Sequence, residues 1–465
     1  MLDPNVASSG NDLAVLVENL RGSFTSGRPR PLSWRKEQLA AIDALVRNHE
    51  RDIVDALRAD VGKPALESLG AELTFIRSEA KFAIRHLPTW TKPRKVNTPV
   101  LLQPGKSFVV QEPLGVVLII GPWNYPFQLV MSPLIGAVAA GNCAVLKPSE
   151  LAPATSSLVA RLVPRYLDPT CIRVVQGGVP ETTALLEQRF DHIFYTGNGT
   201  VGRIVMSAAA KHLTPVTLEL GGKSPCIIDS SADLDVAARR VTWGKFFNAG
   251  QTCVAPDYVL VHASVHDAFV ARVKATVRDF YGPNPKASPD YARIVNQRHH
   301  QRLTALLGSG DVVVGGDTDE DDLFISPTVL INVSPGAPVM AEEIFGPILP
   351  VLSVGSIDDA IRFVGAREKP LALYVFASDE AVQRRVLDRT SSGGAAVNHV
   401  WLHLAVPGLP FGGVGESGMG AYHGRWSFDT FSHRKAVLVK STKVDPPLFY
   451  PPYTESKARW IRRLL

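Results

Sequence analysis

A chain of 465 residues is long enough for about three domain-sized units. Hydrophobic residues account for 45% and charged residues for 20%, which excludes intrinsic disorder as the main state, and a net charge of only +5 gives no indication of a nucleic-acid partner. The 4 cysteines include no CxxC pair and the histidines lack metal-ligand spacing, so we expect no disulfide framework, no metal site, and the reduced thiols of a cytoplasmic protein.

The sequence has no pattern of a targeting or membrane-spanning segment. The first basic residue is Arg21, so the positive start of a secretory signal is missing. The most apolar long stretch, 114–146, is interrupted by proline, glycine and asparagine before it reaches the roughly 18 residues that a spanning helix needs. We therefore expect a soluble protein.

The first 112 residues predict helices followed by a hairpin. Apolar residues recur at helical spacing over 9–90, and Pro88 and Pro93 are expected to close this region. Residues 96–112 alternate loosely and contain prolines and a glycine, which favours a hairpin that projects from the body of the protein. We expect this hairpin to serve as an oligomer contact.

From residue 115 the pattern changes to strands that alternate with helices. Five short apolar runs are separated by helical stretches. The runs cover 115–120, 143–146, 172–175, 192–195 and 216–220. Because they are apolar on both faces, they predict a parallel sheet covered by helices on both sides, as in the mononucleotide-binding halves of doubly wound sheets.

A second alternating α/β block is predicted over 222–397. Within it, the acidic run 317–322 predicts a solvated loop, since it lacks the spacing of an EF-hand calcium site. Residues 405–424 are rich in glycine. The tail, 456–465, predicts a short basic helix.

The segment 197–202, GNGTVG, matches the GxGxxG pattern between a predicted strand and a predicted helix. This pattern is typical either of a phosphate held at a helix N-terminus or of a tight strand-to-helix turn without a ligand. In a literal dinucleotide-binding interpretation, Glu219 would contact the adenosine ribose.

Cys253 follows a loop that contains the polar residues Asn248, Gln251 and Thr252. A thiolate presented by such a loop is a nucleophile, whereas a lone cysteine is more often a buried hydrophobic residue. The polar neighbours favour the nucleophile, because an apolar core would exclude them.

Glu219 lies within the last of the five apolar runs. A carboxylate there is costly to bury unless it is paired or functional. A general base poised near neutral pH needs such desolvation. The alternative is a salt bridge with Lys223.

Asn124 lies in the segment 121–126, GPWNYP, directly after the first predicted strand. Ligands bind at the carboxyl ends of strands in open α/β sheets, and an amide in that position can donate to an oxyanion. The alternative is an asparagine that only forms the turn.

Together these segments resemble the motifs of aldehyde dehydrogenases. The matches appear in that family's order over nearly the whole chain. They are 122–124 PWN, 147–150 KPSE, 219–223 ELGGK, 250–253 GQTC, 343–347 EIFGP and 410–413 PFGG. Within the family the chain resembles the class 3 group, which includes fatty and aromatic aldehyde dehydrogenases. This closer likeness is carried by 211–216 KHLTPV, 255–258 APDY and 430–434 TFSHR.

The resemblance implies a catalytic set of three residues. Cys253 becomes the nucleophile, and Asn124 donates to the oxyanion together with the Cys253 backbone N–H. Glu219 becomes the general base instead of a ribose ligand. The adenosine-ribose role then moves to Lys147 and Glu150.

The resemblance also implies contacts with cofactor and substrate. Glu343 is expected at the nicotinamide ribose, with Phe345 and Phe411 beside the nicotinamide. The family usually has a serine-containing turn where this chain has GNGTVG, so the GxGxxG match is incidental, although that turn is still expected near the pyrophosphate. The cofactor-binding set is Lys147, Glu150, Gly197, Gly202, Glu343, Phe345 and Trp123, and the substrate-binding set is Tyr125 and Phe411.

The implied reaction is NAD-dependent oxidation of an aldehyde to a carboxylic acid, with NADP also used. Cys253 forms a thiohemiacetal and then a thioester, which is hydrolysed by water activated by Glu219. A CoA-acylating dehydrogenase, which needs no base for water, and a non-catalytic binding protein on the same fold are the alternatives. The expected partners are a small aldehyde and a second copy of the chain, with no nucleic acid and no transmembrane segment.

The expected fold class is α/β, with a Rossmann-like NAD-binding domain, an α/β catalytic domain and a small β oligomerisation arm. The expected boundaries are 1–95 with 113–220 for the NAD-binding domain, 221–400 for the catalytic domain, 96–112 with 401–440 for the arm and bridging segments, and 441–465 for the tail. Basic and apolar residues alternate in the tail, so weak peripheral membrane contact is the alternative to a helix that packs on the protein.

Overall fold

The computed structural model describes residues 10–464, which form two large sheets surrounded by helices. Residues 1–9 and Leu465 lie outside the described part. They include residue 9, where the predicted helical region begins, and residue 465, where the predicted tail helix ends. Among residues 10–464, no helix has both the length and the apolar content needed to cross a membrane.

The N-terminal region is helical, as its apolar spacing predicts. Its elements are Gly10–Thr25, Leu32–Asn48, Glu50–Val61, Ala65–Glu67, the π-helical turn Ser68–Thr74, and Phe75–Trp90. Each long helix buries one stripe of apolar residues, such as Leu39, Ile42 and Val46. The region ends at Trp90, so Pro88 lies inside the last helix rather than after it.

The five apolar runs form the parallel strands of a six-stranded sheet. In spatial order the strands are Gly418–Met419, Val216–Glu219, His192–Thr196, Val116–Ile120, Cys143–Lys147 and Ile172–Val174. The first of these pairs antiparallel at the edge, and the others are parallel. The helices between them are Gln128–Ala140, Pro153–Tyr166, Val179–Leu186 and Gly199–Ala210. Strand order reverses beside Val116–Ile120, and such a switch point is where doubly wound sheets bind ligands.

A seven-stranded sheet forms the second block. In spatial order its strands are Asp311–Val314, Thr328–Ile331, Ile348–Val354, Tyr258–His262, Pro225–Ile228, Ala372–Phe376 and Gly394–Val397. Only the first strand is antiparallel to its neighbour. The accompanying helices are Leu234–Phe246, His266–Tyr281, Gln297–Thr304, Ile357–Gly365 and Glu380–Arg389. The predicted α/β class, with a Rossmann-like and a second α/β sheet, is confirmed.

A separate three-stranded antiparallel sheet forms an arm. Gly105–Pro113 is its central strand, with Arg94–Val96 on one side and Ser432–Lys440 on the other. The predicted hairpin over 96–112 therefore pairs with a strand from far along the chain. The outer strand Ser432–Lys440 is exposed over most of its length, so one long edge of the arm faces away from the protein.

Three further segments complete the described chain. The acidic run belongs to a small hairpin, Thr318–Asp319 with Phe324–Ile325, rather than to a loop alone. The helix Arg425–Thr430 precedes the last strand of the arm, and the helix Glu455–Leu464 ends the described chain.

Candidate active site

Several of the predicted site residues lie at the carboxyl edge of the six-stranded sheet. Backbone bonds join the neighbouring strand ends there: the N–H of Gly121 donates to the carbonyl of Lys147, and that of Gly197 donates to the carbonyl of Glu219, each at 3.0 Å. Because parallel strands end at one edge, segments that are remote in sequence meet at this place.

The loop that presents Cys253 has an unusual backbone. Asn248 and Ala249 have φ of 52° and 50°, and Gly250 has φ of 73°. A left-handed backbone is costly for Asn248 and Ala249, which carry a Cβ, so the surroundings must hold them. A Cβ on Gly250 would collide with the carbonyl oxygen of Gly346, which explains the glycine and shows that the loop packs directly against the 343–347 motif.

The side chain and the backbone carbonyl of Asn124 both form hydrogen bonds with this loop. Its side-chain Nδ2 donates to the carbonyl of Gln251 at 3.1 Å, and its own carbonyl accepts from Nδ2 of Asn248 at 3.0 Å. The Asn124 amide has two hydrogens, and this bond uses one. Nδ2 has no second acceptor among residues 10–464, so its other hydrogen can serve as a donor at the site. Asn124 therefore joins the two motifs instead of only forming a turn.

Cys253 is partly exposed, whereas the three other cysteines are buried. Burial around the sulfur raises the pKa of the Cys253 thiol, and the nearby carboxylates of Glu343 and Glu219 raise it further. The backbone N–H groups of Cys253 and Val254 act in the opposite direction, because they point toward the sulfur. The sulfur therefore lies beside two carboxylates and two N–H donors.

Glu219 is a buried carboxylate with no partner among the described residues. Its exposed fraction is 2%, and neither side-chain oxygen accepts a hydrogen bond from any residue in 10–464. Burial raises the pKa of Glu219 well above its ordinary value. An unpaired buried carboxyl group is costly, so its retention indicates a functional demand.

The alternative salt bridge between Glu219 and Lys223 is wrong. Lys223 pairs instead with Asp257, and its ammonium also donates to the carbonyls of Val339 and Glu342 at 2.9 and 2.8 Å. These bonds use the three donors of the ammonium group.

Glu343 lies over the turn that follows Glu219. A Cβ on Gly221 would collide with Oε2 of Glu343, so the carboxylate occupies the space that glycine leaves. Burial raises the pKa of Glu343 to about 8, assisted by the carboxylate of Asp257 and opposed by the backbone N–H of Gly222.

Lys147 and Glu150 contact each other at the end of the neighbouring strand. The Lys147 ammonium donates to Oε2 of Glu150 at 3.2 Å and to the carbonyl of Pro148 at 2.9 Å. Burial lowers the pKa of Lys147, and Glu150 opposes this shift. Lys147 is buried while the Glu150 side chain is partly exposed, so the carboxylate faces toward solvent.

The GNGTVG segment forms the predicted strand-to-helix turn. Oδ1 of Asn198 accepts from the N–H of Val201 at 2.9 Å and caps the helix Gly199–Ala210. A Cβ on Gly197 would collide with the Tyr195 hydroxyl group. Packing alone therefore accounts for Gly197. Gly202 also packs closely, because a Cβ there would lie 3.0 Å from Cδ2 of Leu220.

The aromatic residues of the predicted set form two groups. Trp123 meets Phe345 edge to face, with ring centroids 5.3 Å apart. Phe411 instead stacks on His423 at 5.1 Å and meets Tyr422 at 5.7 Å. The two groups are connected to the site through different segments, because Phe345 belongs to the 343–347 motif and Tyr422 to the glycine-rich segment.

Three residues near the site are missed by the sequence motifs. Lys63 and Glu72 form an ion pair with no exposed side-chain surface, and Lys63 donates to the carbonyl of Asn124 at 2.9 Å. Tyr422 is buried near Glu219 and Cys253, whose negative charges add to the burial that raises the pKa of its hydroxyl group. A signal for Glu72 exists in the sequence, since it falls on the buried stripe of the helical region, where a carboxylate needs a partner.

The described residues contain no cluster of three or more histidine, cysteine, aspartate or glutamate side chains that could hold a metal ion.

Comparison with known proteins identifies the family of the chain. The family model for the aldehyde dehydrogenase family matches residues 7–437. Rat aldehyde dehydrogenase family 3 member A2 is 54% identical over 451 residues, which are 97% of this chain and 93% of that protein. A rat aldehyde dehydrogenase described as dimeric and NADP-preferring is 51% identical over 431 residues, which are 93% of this chain and 95% of that protein.

A solved structure shows the same fold. The substrate-bound state of Staphylococcus aureus AldH superimposes with a TM-score of 0.94 at 48% sequence identity, covering 97% of this chain and 98% of that one. The fold and the sequence similarity are those of an NAD(P)-dependent oxidoreductase. The chain belongs to the aldehyde dehydrogenase family, and its similarity to family 3 members places it in the class 3 group.

Proposed function

We propose that the protein oxidises an aldehyde to a carboxylic acid with NAD(P), through a covalent intermediate on Cys253. The observation that carries this proposal is Glu219, a buried carboxylate without a partner among residues 10–464, whose charge acts on Cys253. Such a group is what a base for both the thiol and a water molecule requires.

The first half-reaction forms the carbon–sulfur bond. The Cys253 thiol loses its proton to a nearby base, and its sulfur attacks the carbonyl carbon. The carbonyl π electrons move to oxygen, and the resulting oxyanion accepts from the free hydrogen of Asn124 Nδ2 and from the Cys253 backbone N–H. Each such donor contributes about 2.7–4 kcal/mol to transition-state stabilisation in other enzymes.

The second half-reaction releases the acid. A nicotinamide held by Glu343 and Phe345 would supply hydride acceptance, and loss of hydride from the thiohemiacetal carbon would leave a thioester on Cys253. Glu219 takes a proton from water while the water oxygen attacks the thioester carbon. The carbon–sulfur bond then breaks, and the acid leaves. Glu219 must be ionised to act, so its raised pKa makes hydrolysis faster as pH increases.

The residues at the carboxyl edge fit a dinucleotide. Lys147 and Glu150 combine an ammonium group with a partly exposed carboxylate, a donor and acceptor set suited to ribose hydroxyls. Gly197 and Gly202 lie in the turn at the N-terminus of a helix, which suits the pyrophosphate. Glu343 is assigned to the nicotinamide ribose.

The aromatic residues complete these assignments. Phe345 and Trp123 are assigned to the cofactor, and their edge-to-face contact supports a shared role. Tyr125 and Phe411 are assigned to the aldehyde, with Phe411 also beside the nicotinamide.

Two alternatives remain testable in one assay. A CoA-acylating enzyme would release NADH continuously only with CoA, and a non-catalytic protein would release none. We expect steady NADH formation from simple aldehydes without CoA, together with stoichiometric free acid. The panel should include short aliphatic, long aliphatic and aromatic aldehydes, because the motifs do not set chain length. Strict dependence on CoA, or no NADH with any aldehyde, would contradict the proposal.

The protein is proposed to act as a cytoplasmic homodimer. The exposed edge strand Ser432–Lys440 supports the arm as the dimer contact, and one relative is described as dimeric. All four cysteines are free thiols, which supports a reducing compartment. The basic helix Glu455–Leu464 exposes Trp460, so weak contact with a membrane surface belongs to the same proposal. Light scattering of the purified chain tests the dimer directly.

A further inference from the structure

Lys63 is a completely buried lysine that lies beneath the Asn124 segment. Its ammonium pairs with Glu72, donates to the carbonyl of Asn124 at 2.9 Å, and lies 4.0 Å from the centre of the Tyr125 ring. These three contacts surround the cation with a carboxylate, a backbone dipole and an aromatic face. Two of them are made by residues of the proposed site.

Glu72 also forms hydrogen bonds with the start of the next helix. Its Oε1 pairs with Lys63, and its Oε2 accepts from the N–H groups of Phe127 and Gln128, each at 3.1 Å. Those donors are at the start of the helix Gln128–Ala140. The ion pair therefore holds both ends of the short segment from Asn124 to the helix.

Stability alone is a poor explanation of this pair. Removing two charges completely from water costs several kcal/mol for each ion, and replacing a buried pair by uncharged residues is often neutral or stabilising. What the pair does fix is the orientation of one peptide group. The Asn124 carbonyl is held by Lys63 and by Asn248 Nδ2, so the Asn124 side chain leaves the backbone in one direction, toward Gln251 and the Cys253 loop.

We propose that Lys63 and Glu72 are a positioning pair that aims the Asn124 amide at the oxyanion formed on Cys253. This inference rests on the proposed function, since it assumes that Asn124 donates to that oxyanion. Neither residue touches the reacting atoms. Their effect is to fix the donor before the aldehyde binds, and preorganisation of this kind contributes to catalysis because a displacement of about 1 Å can slow a reaction by about 10²-fold.

The test uses the full-length enzyme and two variants of the pair. Lys63→Met alone leaves Glu72 as an unpaired buried charge and risks unfolding. The double variant Lys63→Met/Glu72→Gln removes both charges and keeps an oxygen that can accept from Phe127 and Gln128. The matched control is Glu79→Gln. Glu79 is also a buried carboxylate, but it accepts from the hydroxyl of Ser132 and from the N–H of Gly424 and does not contact the Asn124 segment.

The measurement is the rate of the first turnover of NADH after rapid mixing. In the double variant we expect this rate to fall by about 10²-fold, with the dissociation constant of NAD and the hydroxylamine-assisted cleavage of the thioester nearly unchanged. Glu79→Gln should leave the first-turnover rate close to that of the unaltered enzyme even where its unfolding midpoint is lower.

A double-mutant cycle with Asn124→Ala separates positioning from general damage. Asn124→Ala alone should slow the first turnover by about 10²–10³-fold. If the pair acts through Asn124, adding the Lys63→Met/Glu72→Gln changes to Asn124→Ala should slow it little further. The inference would be overturned, while the proposed function stands, if the rate decreases of Asn124→Ala and of the pair variant multiply in the combined variant. An unchanged first-turnover rate in the pair variant would overturn it as well. A normal first turnover in Asn124→Ala would instead overturn the oxyanion assignment itself, and the positioning role with it.

Discussion

The hydroxyl group of Tyr125 lies 2.7 Å from Oγ1 of Thr252, the residue before Cys253. Both residues are buried, so this bond is shielded from water. It adds to the bond from Asn124 to Gln251, and together they connect the turn after the first strand with the loop that presents Cys253. The position of the sulfur therefore depends on a segment that lies far from it in the sequence.

Tyr125→Phe should loosen this connection. The change leaves the Thr252 hydroxyl buried without its partner, which should lower the free energy of unfolding by about 1–3 kcal/mol. It should also slow the first turnover of NADH, because the Cys253 loop loses one of its ties. Denaturant unfolding and rapid mixing measure the two effects.

Tyr291→Phe is the matched control for that change. The Tyr291 hydroxyl donates to the carbonyl of Ile325 at 2.8 Å and is equally buried, but it has no bond to the Cys253 loop. We expect a similar loss of stability with little change in the first turnover. Equal kinetic effects in the two variants would show that the bond from Tyr125 has no special connection with catalysis.

Replacement of each cysteine by alanine should affect activity at one position and not at the other three. Cys253→Ala should abolish aldehyde-dependent NADH formation, because it removes the proposed nucleophile. Cys143, Cys171 and Cys226 are buried, and their replacement by alanine should leave activity after correction for folded protein. Initial rates for the four variants check this, and full activity in Cys253→Ala would exclude the proposed mechanism.

Much of the fold is predictable because its signals are local. A parallel sheet buried on both faces requires short continuous apolar runs, and those runs coincide with five strands to within a few residues. The strand Gly418–Met419 leaves no such signal, since two residues in a glycine-rich segment show no alternation. Its pairing with Val216–Glu219 depends on contacts that only the folded chain reveals.

The residues of the site also differ in how well the sequence predicts them. Cys253, Glu219 and Asn124 carry recognisable motifs because each lies in a loop or at a strand end that the chemistry constrains. Lys63 and Glu72 are nine positions apart in a helical region, and their shared target lies beyond it in the sequence. A buried charge on an apolar stripe indicates that a partner exists, but local sequence cannot identify which residue the pair supports.

Cofactor choice should depend on Glu150. Its partly exposed carboxylate is expected near the ribose 2′-hydroxyl, where it would repel a 2′-phosphate. The Lys147 ammonium, with Nζ 3.2 Å from Oε2 of Glu150, offsets part of that repulsion. We expect a preference for NAD with some use of NADP. Glu150→Gln should raise kcat/KM for NADP relative to NAD by about fivefold, equivalent to roughly 1 kcal/mol for charges about 4 Å apart in water.

Glu181→Gln is the control for cofactor choice. The Glu181 carboxylate accepts from the N–H of Gly178 in the same part of the sheet edge, but it is not assigned to the ribose. Its replacement should leave the ratio of the two kcat/KM values unchanged. A clear NADP preference of the unaltered enzyme would show that the role of Glu150 is wrong.

Removing the charge of Glu219 should stabilise the protein. Burial raises the pKa of Glu219 in the folded state above that in the unfolded state, so ionisation favours unfolding as pH rises. Glu219→Gln is neutral at every pH. Below about pH 4 the side chain is uncharged in both proteins, so the variant and the unaltered protein should have the same melting temperature. Above that pH the melting temperature of the variant should exceed that of the unaltered protein by an amount that grows until the folded-state pKa of Glu219 is passed. A constant difference at all pH values would show that the carboxylate is not the cause.

The same variant distinguishes a base from a ribose ligand. Without its proton acceptor, Glu219→Gln should hydrolyse the thioester about 10²–10⁴-fold more slowly. If another group takes the thiol proton, rapid mixing should show a burst of one NADH per active site followed by a slow steady state, with NAD affinity nearly unchanged. Hydroxylamine, which needs no base, should partly restore turnover. A slower burst would mean that Glu219 also deprotonates Cys253, consistent with the charge that Glu219 places beside that thiol. A large loss of NAD affinity with normal turnover at saturating cofactor would instead assign Glu219 to the ribose.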